Sequence, residues 1–270
     1  MGKSNTFDMT ELVILEGILW LIRFLFGACI FSFLGVVADR LPRSEGIVKG
    51  RSHCTACGRV LTPAELIPCV SFLALRGRCK GCGTLIPKRA FLGELAGGAA
   101  WILCAWRYGV GHTGLISLEG AVVFCYLGIL LVVALIDWDT QIIYNRFHII
   151  IAILAAAQIF LVPEHGIGDR LIGALIVSVP MLVLALIVPG AFGGGDIKLM
   201  AASGLFLGMD AIVCAMFFGL LSGGGYAAFM LATKRLKKSD QFAFGPFLAF
   251  GLAMAALWGD QIAAWYLSAL

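Results

Sequence analysis

Two aspartates stand where an aspartate is costly. Asp137 closes the apolar run Leu130-Leu131-Val132-Val133-Ala134-Leu135-Ile136, and Asp196 follows Gly193-Gly194-Gly195 and precedes Ile197-Lys198. A carboxylate at the edge of an apolar helix has to face protein or water, so each is a candidate functional group. Two such groups held close resist ionising together and share one proton. One can then activate water while the other protonates a carbonyl or a leaving amine, the acid and base of aspartic proteolysis. The triple glycine costs helix stability and admits close backbone approach by an extended substrate; its plainer role is a flexible interhelical loop. Lys198 is either a snorkelling interface cation or a charge that biases Asp196. An isolated Asp at a helix end is most simply a cap or a solvated boundary residue, which covers Asp139, Asp169 and Asp210.

A second set of residues carries metal chemistry. Cys54 and Cys57 form one CxxC pair, Cys79 and Cys82 another, and a glycine follows each, Gly58 and Gly83. The spacing is that of tetrahedral four-thiolate zinc sites, and the glycines let the backbone turn tightly around an ion. Such a zinc would be structural, because four thiolates leave no open position for substrate. Disulfides are the alternative, disfavoured in a reducing compartment. Cys69 lies between the pairs, while Cys29, Cys104, Cys125 and Cys214 sit in apolar runs and read as packing residues.

The elements that position these groups must be membrane helices. With 60% hydrophobic and 13% charged residues, the chain has too little polar surface for a soluble globule. Apolar runs near the length of a span occur at 12–38, 91–107, 116–136, 147–163, 171–189, 197–209, 211–232 and 244–268. They predict an all-α polytopic membrane protein of about eight transmembrane helices, with a small cytoplasmic insertion built on the four-cysteine, zinc-binding-like motif. The expected domains are a first span at 1–38, a cysteine-containing loop at 39–90 and a membrane-embedded bundle at 91–270. The loop is too small to build a core alone and needs a staple. The first span is too long for a cleaved signal peptide and has no small-residue cleavage site.

Basic residues set the orientation, since Lys and Arg gather in cytoplasmic loops. They crowd 39–90 and recur at Arg146, Lys198, Lys234, Arg235, Lys237 and Lys238, leaving Lys3, Arg107 and Arg170 opposite and Arg23 within the first span. The N-terminus is therefore expected outside, with both aspartates at cytoplasmic span ends. The net charge of +4 follows from this rule and calls for no nucleic acid partner.

Along most of its length the sequence resembles the type IV prepilin leader peptidases, the GxGD class of membrane aspartic proteases. Ser32-Phe33-Leu34-Gly35-Val36-Val37 through Arg40-Leu41-Pro42 resembles the family's first-span signature, and Ile67-Pro68 through Leu75-Arg76-Gly77-Arg78-Cys79 its cysteine-loop stretch. Ala134-Leu135-Ile136-Asp137 is similar to the first catalytic motif, Phe192-Gly193-Gly194-Gly195-Asp196-Ile197-Lys198 to the second, and Phe244-Gly245-Pro246-Phe247-Leu248-Ala249 to the last-span motif. The resemblance implies Asp137 and Asp196 as the catalytic pair, in the bacterial inner membrane. Its substrate would be a prepilin or pseudopilin, cut at a Gly between a basic leader and a hydrophobic helix. It also implies methylation of the new N-terminus with S-adenosylmethionine, whose binding residues the sequence does not identify. Tyr144-Asn145 stands where the family has Pro-Asp, Gly35 where it has Asn, and Glu65-Leu66 where it has Asp-Asn. A peptidase without methylation, an inactive scaffold for pilus or secretion assembly, and a proton-relaying transporter are the competing readings.

Overall fold

The computed structural model describes residues 9–47, 50–110, 115–235 and 242–269. Lys3, Lys49, Lys237 and Lys238, which contribute to the charge asymmetry, lie outside the described residues. The chain divides into two compact units, Met1–Val36 with Gly46–Leu103, and Val37–Glu45 with Cys104–Leu270. Two of the boundaries fall inside helices α1 (Met9–Arg40) and α3 (Lys88–Arg107), and the third follows Glu45 in the loop after α1.

In the first unit, α1 and α3 meet through small residues, as membrane helices do when backbones approach closely. A Cβ on Gly27 would lie 2.4 Å from the Gly97 carbonyl oxygen, and one on Gly97 would lie 2.3 Å from Phe31 Cβ. Between these helices the chain forms the cysteine loop, a 3-10 turn at Pro63–Leu66 and the five-residue helix α2 (Val70–Ala74). Glu94 of α3 ties the pieces together. Ser32 Oγ donates to one of its carboxylate oxygens at 2.8 Å and the Cys69 amide to the other at 2.7 Å.

The second unit opens with a ribbon of β1 (Gly109–Val110) and β2 (Leu115–Ile116), antiparallel, with Gly109 opposite Ile116. The helices α4 (Leu118–Thr140), α5 (Asn145–Leu161), α6 (Ile167–Ile176), α7 (Ser178–Ile187), α8 (Gly194–Leu207), α9 (Met209–Ala232) and α10 (Gly245–Ser268) follow. α6 and α7 form one apolar stretch broken at Val177. Pro180 is the cause, since it has no amide for the Ile176 carbonyl and its ring crowds that turn. α8 sits centrally. A Cβ on its Gly204 would lie 2.2 Å from the Gly173 carbonyl oxygen of α6, and its Leu199 and Met200 are fully buried. Gly208 joins α8 to α9 at φ +85°, where a side chain would also collide with Asp169. Asp169 accepts the Met209 amide at 3.3 Å and so caps α9.

Among the described residues, five helical stretches, rather than eight, are long and apolar enough to cross a membrane: Val13–Arg40, Leu118–Thr140, Ile167–Ile187, Met209–Ala232 and Gly245–Ser268. The other three expected spans are helical but fall short for different reasons. α3 carries Lys88, Arg89, Glu94 and Arg107, which dilute its apolar character. α5, at 17 residues, rises only about 25 Å, and α8, at 14 residues, about 21 Å. A count based on apolar runs does not register where a helix stops.

Arg170 also differs from expectation. Expected in a loop, it lies inside α6 and is 2% exposed. Its guanidinium donates to the carbonyls of Gln158 and Val162 at the end of α5, His165 in the connection, and Leu205 and Phe206 at the end of α8. It thus gives a donor to the Val162, Leu205 and Phe206 carbonyls at two helix ends and a second one to the Gln158 carbonyl, which already accepts the Val162 amide. Arg170→Met is expected to cost about 3 kcal/mol or more, because buried acceptors of a charged donor are orphaned. Arg170→Lys recovers only part of this, lacking the planar fork. Thermal unfolding of the detergent-solubilised protein measures both.

Candidate active site

Asp137 lies in the last turn of α4 and is 5% exposed. The helix closes just beyond it, with Gln141 in the left-handed region at φ +55° and its amide bonded to the Asp137 carbonyl at 2.8 Å. The Asp137 carboxylate accepts the Gly245 amide at 2.9 Å, a bond between residues 108 apart in sequence. Gly245 is the first residue of α10, so the positive end of that helix faces the carboxylate.

Asp196 lies in the first turn of α8 and is 9% exposed. Its carboxylate accepts the Gly193 amide at 3.2 Å, which fastens the turn back on itself. The structure brings the two aspartates together to the extent that the charge on Asp137 acts on Asp196. Each carboxylate is thus buried, held by one backbone amide, and placed against the start of a helix.

The three glycines of 193–195 have different surroundings. A Cβ on Gly193 would lie 3.1 Å from Asp196 Oδ2, and one on Gly195 would lie 3.0 Å from Ile143 Cβ, whereas Gly194 meets nothing within 4 Å. Two of the three are therefore constrained by close neighbours. Lys198 Nζ donates to Asn145 Oδ1 at 3.1 Å, so the amide that stands in place of a carboxylate still engages the lysine. Aromatic rings border the region. Phe192 lies 5.8 Å from Phe244, and Trp138 lies 6.0 Å from Tyr226, which in turn approaches Phe247 at 5.1 Å.

Gly245 is the residue whose role the sequence did not disclose. A Cβ there would lie 2.6 Å from Asp137 Oδ2 and 2.9 Å from its Cγ, so only glycine leaves room for the carboxylate. The available signal was the Gly-Pro pair at the head of the last helix, but its partner is remote in sequence.

In the other unit, Cys54, Cys57, Cys79 and Cys82 converge, with all four Sγ atoms within 4.8 Å of one another. Each CxxC-Gly makes the same turn. The Gly58 amide donates to the Cys54 carbonyl at 2.8 Å and the Gly83 amide to the Cys79 carbonyl at 2.9 Å, with the glycines at φ +72° and +71°. These are the two positions where the turn requires glycine. Four sulfurs placed tetrahedrally at about 2.3 Å from an ion stand about 3.8 Å apart. Cys54 Sγ and Cys82 Sγ are 3.8 Å apart, and all four cysteines are free, so the donor set fits a thiophilic metal. Backbone amides of Cys82 and then Gly81 directed at the Cys79 sulfur lower its thiol to about 6, favouring the ligating thiolate. Arg59 supports this turn by pairing with Glu65, which also accepts from the Thr62 amide and hydroxyl, each at 2.9 Å. The Arg59 hydrogen bond, followed by those from Thr62, holds the Glu65 carboxyl down at about 2.

Comparison with known proteins adds a family context. The profile of the bacterial peptidase A24 N-terminal domain matches residues 25–108, and that of the type IV leader peptidase family matches residues 124–228. A protein of Bacillus subtilis (strain 168) called prepilin leader peptidase/N-methyltransferase is 37% identical over 246 residues, covering 91% of this chain and 97% of its own length. Proteins with the same name from Pseudomonas aeruginosa and Myxococcus xanthus are 30% and 33% identical, covering 90% and 77% of this chain and 91% and 62% of their own lengths. No solved structure matches the chain at comparable significance.

Proposed function

The chain belongs to the type IV leader peptidase family, and on that premise we propose that it is a membrane aspartic endopeptidase with Asp137 and Asp196 as its catalytic pair. The observation that carries this reading is the pair of buried carboxylates, each held by a backbone amide at a helix start, with the charge of one acting on the other. In this mechanism a water lies between them. The ionised carboxylate takes a proton from the water as its oxygen attacks the scissile carbonyl, and the protonated one donates to the carbonyl oxygen. Collapse of the tetrahedral intermediate breaks the C–N bond, the leaving amine takes up a proton from the carboxyl that gained one, and a hydroxyl proton of the intermediate returns to the carboxylate that gave one. Gly193, Gly194 and Gly195 let an extended backbone approach, and Lys198 braces the turn through Asn145.

The substrate is a prepilin or pseudopilin, cut after the Gly that separates a basic leader from a hydrophobic helix. The bundle at 91–270 carries the peptidase chemistry, while 1–38 and 39–90 supply the first span and the cysteine loop. The enzyme sits in the bacterial inner membrane with its N-terminus outside and its aspartates toward the cytoplasm, as the distribution of basic residues supports. The new N-terminus is then methylated with S-adenosylmethionine. Among the described residues the only sheet is the two-stranded ribbon, which does not fit a doubly wound nucleotide fold.

The purified protein in detergent, given a synthetic precursor with a short basic leader, a Gly and an apolar segment, is expected to cut after the Gly. Mass spectrometry of the product reads both the cut and, with the methyl donor added, a methyl group. An intact precursor overturns the peptidase; an unmodified amine on the cut product removes only the methylation step.

The four cysteines hold zinc in a structural role. A strong thiol-competing chelator is expected to release about one zinc per chain and expose the loop to proteolysis, since a small domain of this kind derives much of its folding free energy from the metal. Cysteine loops that stay protease-resistant after chelation would remove zinc from the fold.

A further inference from the structure

The start of α5 presses on the turn that carries Asp196 at three points. Ile143, just before the helix, packs on Gly195, and Asn145 accepts from Lys198. Further along the first turn of α5 lies His148, 8% exposed, its ring near the Gly195 backbone and near enough to Lys198 to feel its charge. Yet neither ring nitrogen completes a hydrogen bond among the described residues. An imidazole left unpaired at such depth carries a desolvation penalty that an apolar ring of similar size would avoid. A polar group in that position calls for an explanation, and the working state of the neighbouring turn supplies one.

We propose that His148 is a positioning residue: in the working enzyme its imidazole closes a hydrogen bond to the Gly195 backbone and fixes where the first turn of α8 presents the Asp196 carboxylate. This rests on Asp137 and Asp196 being the catalytic pair. His148 itself touches no reacting atom. With Asn145, through Lys198, it clamps the Asp196 turn from one side, while the Gly193 amide holds it from within.

The test uses the full-length protein in detergent, with the same leader–Gly–apolar peptide as probe and three variants. His148→Phe keeps the volume but not the hydrogen bond, His148→Asn keeps a donor, and Asp196→Asn is the control. His148→Phe is expected to lower kcat about tenfold while KM stays within about twofold, because misplacing a catalytic group slows chemistry more than binding. His148→Asn is expected to recover most of that loss, which a merely structural role would not produce. Wild-type kcat in His148→Phe overturns the proposal, as does equal loss in both His148 variants. If His148→Phe does not fold, His148→Asn decides alone, with near wild-type kcat supporting the proposal and about tenfold loss overturning it. An Asp196→Asn variant that cuts at the wild-type rate instead overturns the catalytic pair, and the proposal with it.

Discussion

Asp137→Ala and Asp196→Ala each reduce precursor cleavage by about a thousandfold or more, the scale of removing the acid or the base from a reaction that needs both. Both variants still insert and purify, since each carboxylate is tied to the protein by a single backbone amide. The double variant is no worse than either single one, because groups that act as a unit lose their effect together. Quantitative cleavage by membranes containing either variant, with expression matched by immunoblot, checks the claim. Full cleavage by either one sinks the catalytic pair.

Gly245→Ala is the second large effect, at a residue without any functional group of its own. A methyl group 2.6 Å from Asp137 Oδ2 must displace the carboxylate, move the head of α10, or do both. Either response weakens the 2.9 Å bond from the Gly245 amide. The expected loss is about a hundredfold in kcat, with about 1–3 kcal/mol of destabilisation from overpacking. Gly194→Ala is the matched comparison. Nothing lies within 4 Å of its Cβ position, so its rate should fall far less. Steady-state kinetics of the two variants side by side separate a collision at Asp137 from a general intolerance of lost glycine.

Much of this was legible in the sequence because the signals are local. Two CxxC-Gly strings define two turns within a few residues each, and the turns form as the spacing predicts. The apolar character of each helix is likewise written in consecutive residues. What was not legible depends on where chains meet. The eight apolar runs become helices, but α5 and α8 stop early and α3 carries too many charges, so among the described residues five rather than eight reach spanning length and hydropathy. Gly245 and Asp137, Glu94 with Ser32 and Cys69, and Arg170 with its carbonyls are pairings across helices. No period or motif predicts them. Arg170 is the instructive case, since a charge read as marking a loop is buried and matched to carbonyls instead of a carboxylate.

The length of α8 bears on the lipid around the protein. Its 14 residues rise about 21 Å, against a hydrocarbon layer about 30 Å thick. Where such a helix runs along the bilayer normal, the membrane thins locally or neighbouring helices shield the exposed end. Each end of α8 is already chemically closed, Gly208 against Asp169 at one and Gly193 bonded to Asp196 at the other. The helix therefore cannot lengthen to match a thicker membrane without undoing a cap. In that orientation acyl-chain length acts as a mechanical load on the Asp196 turn.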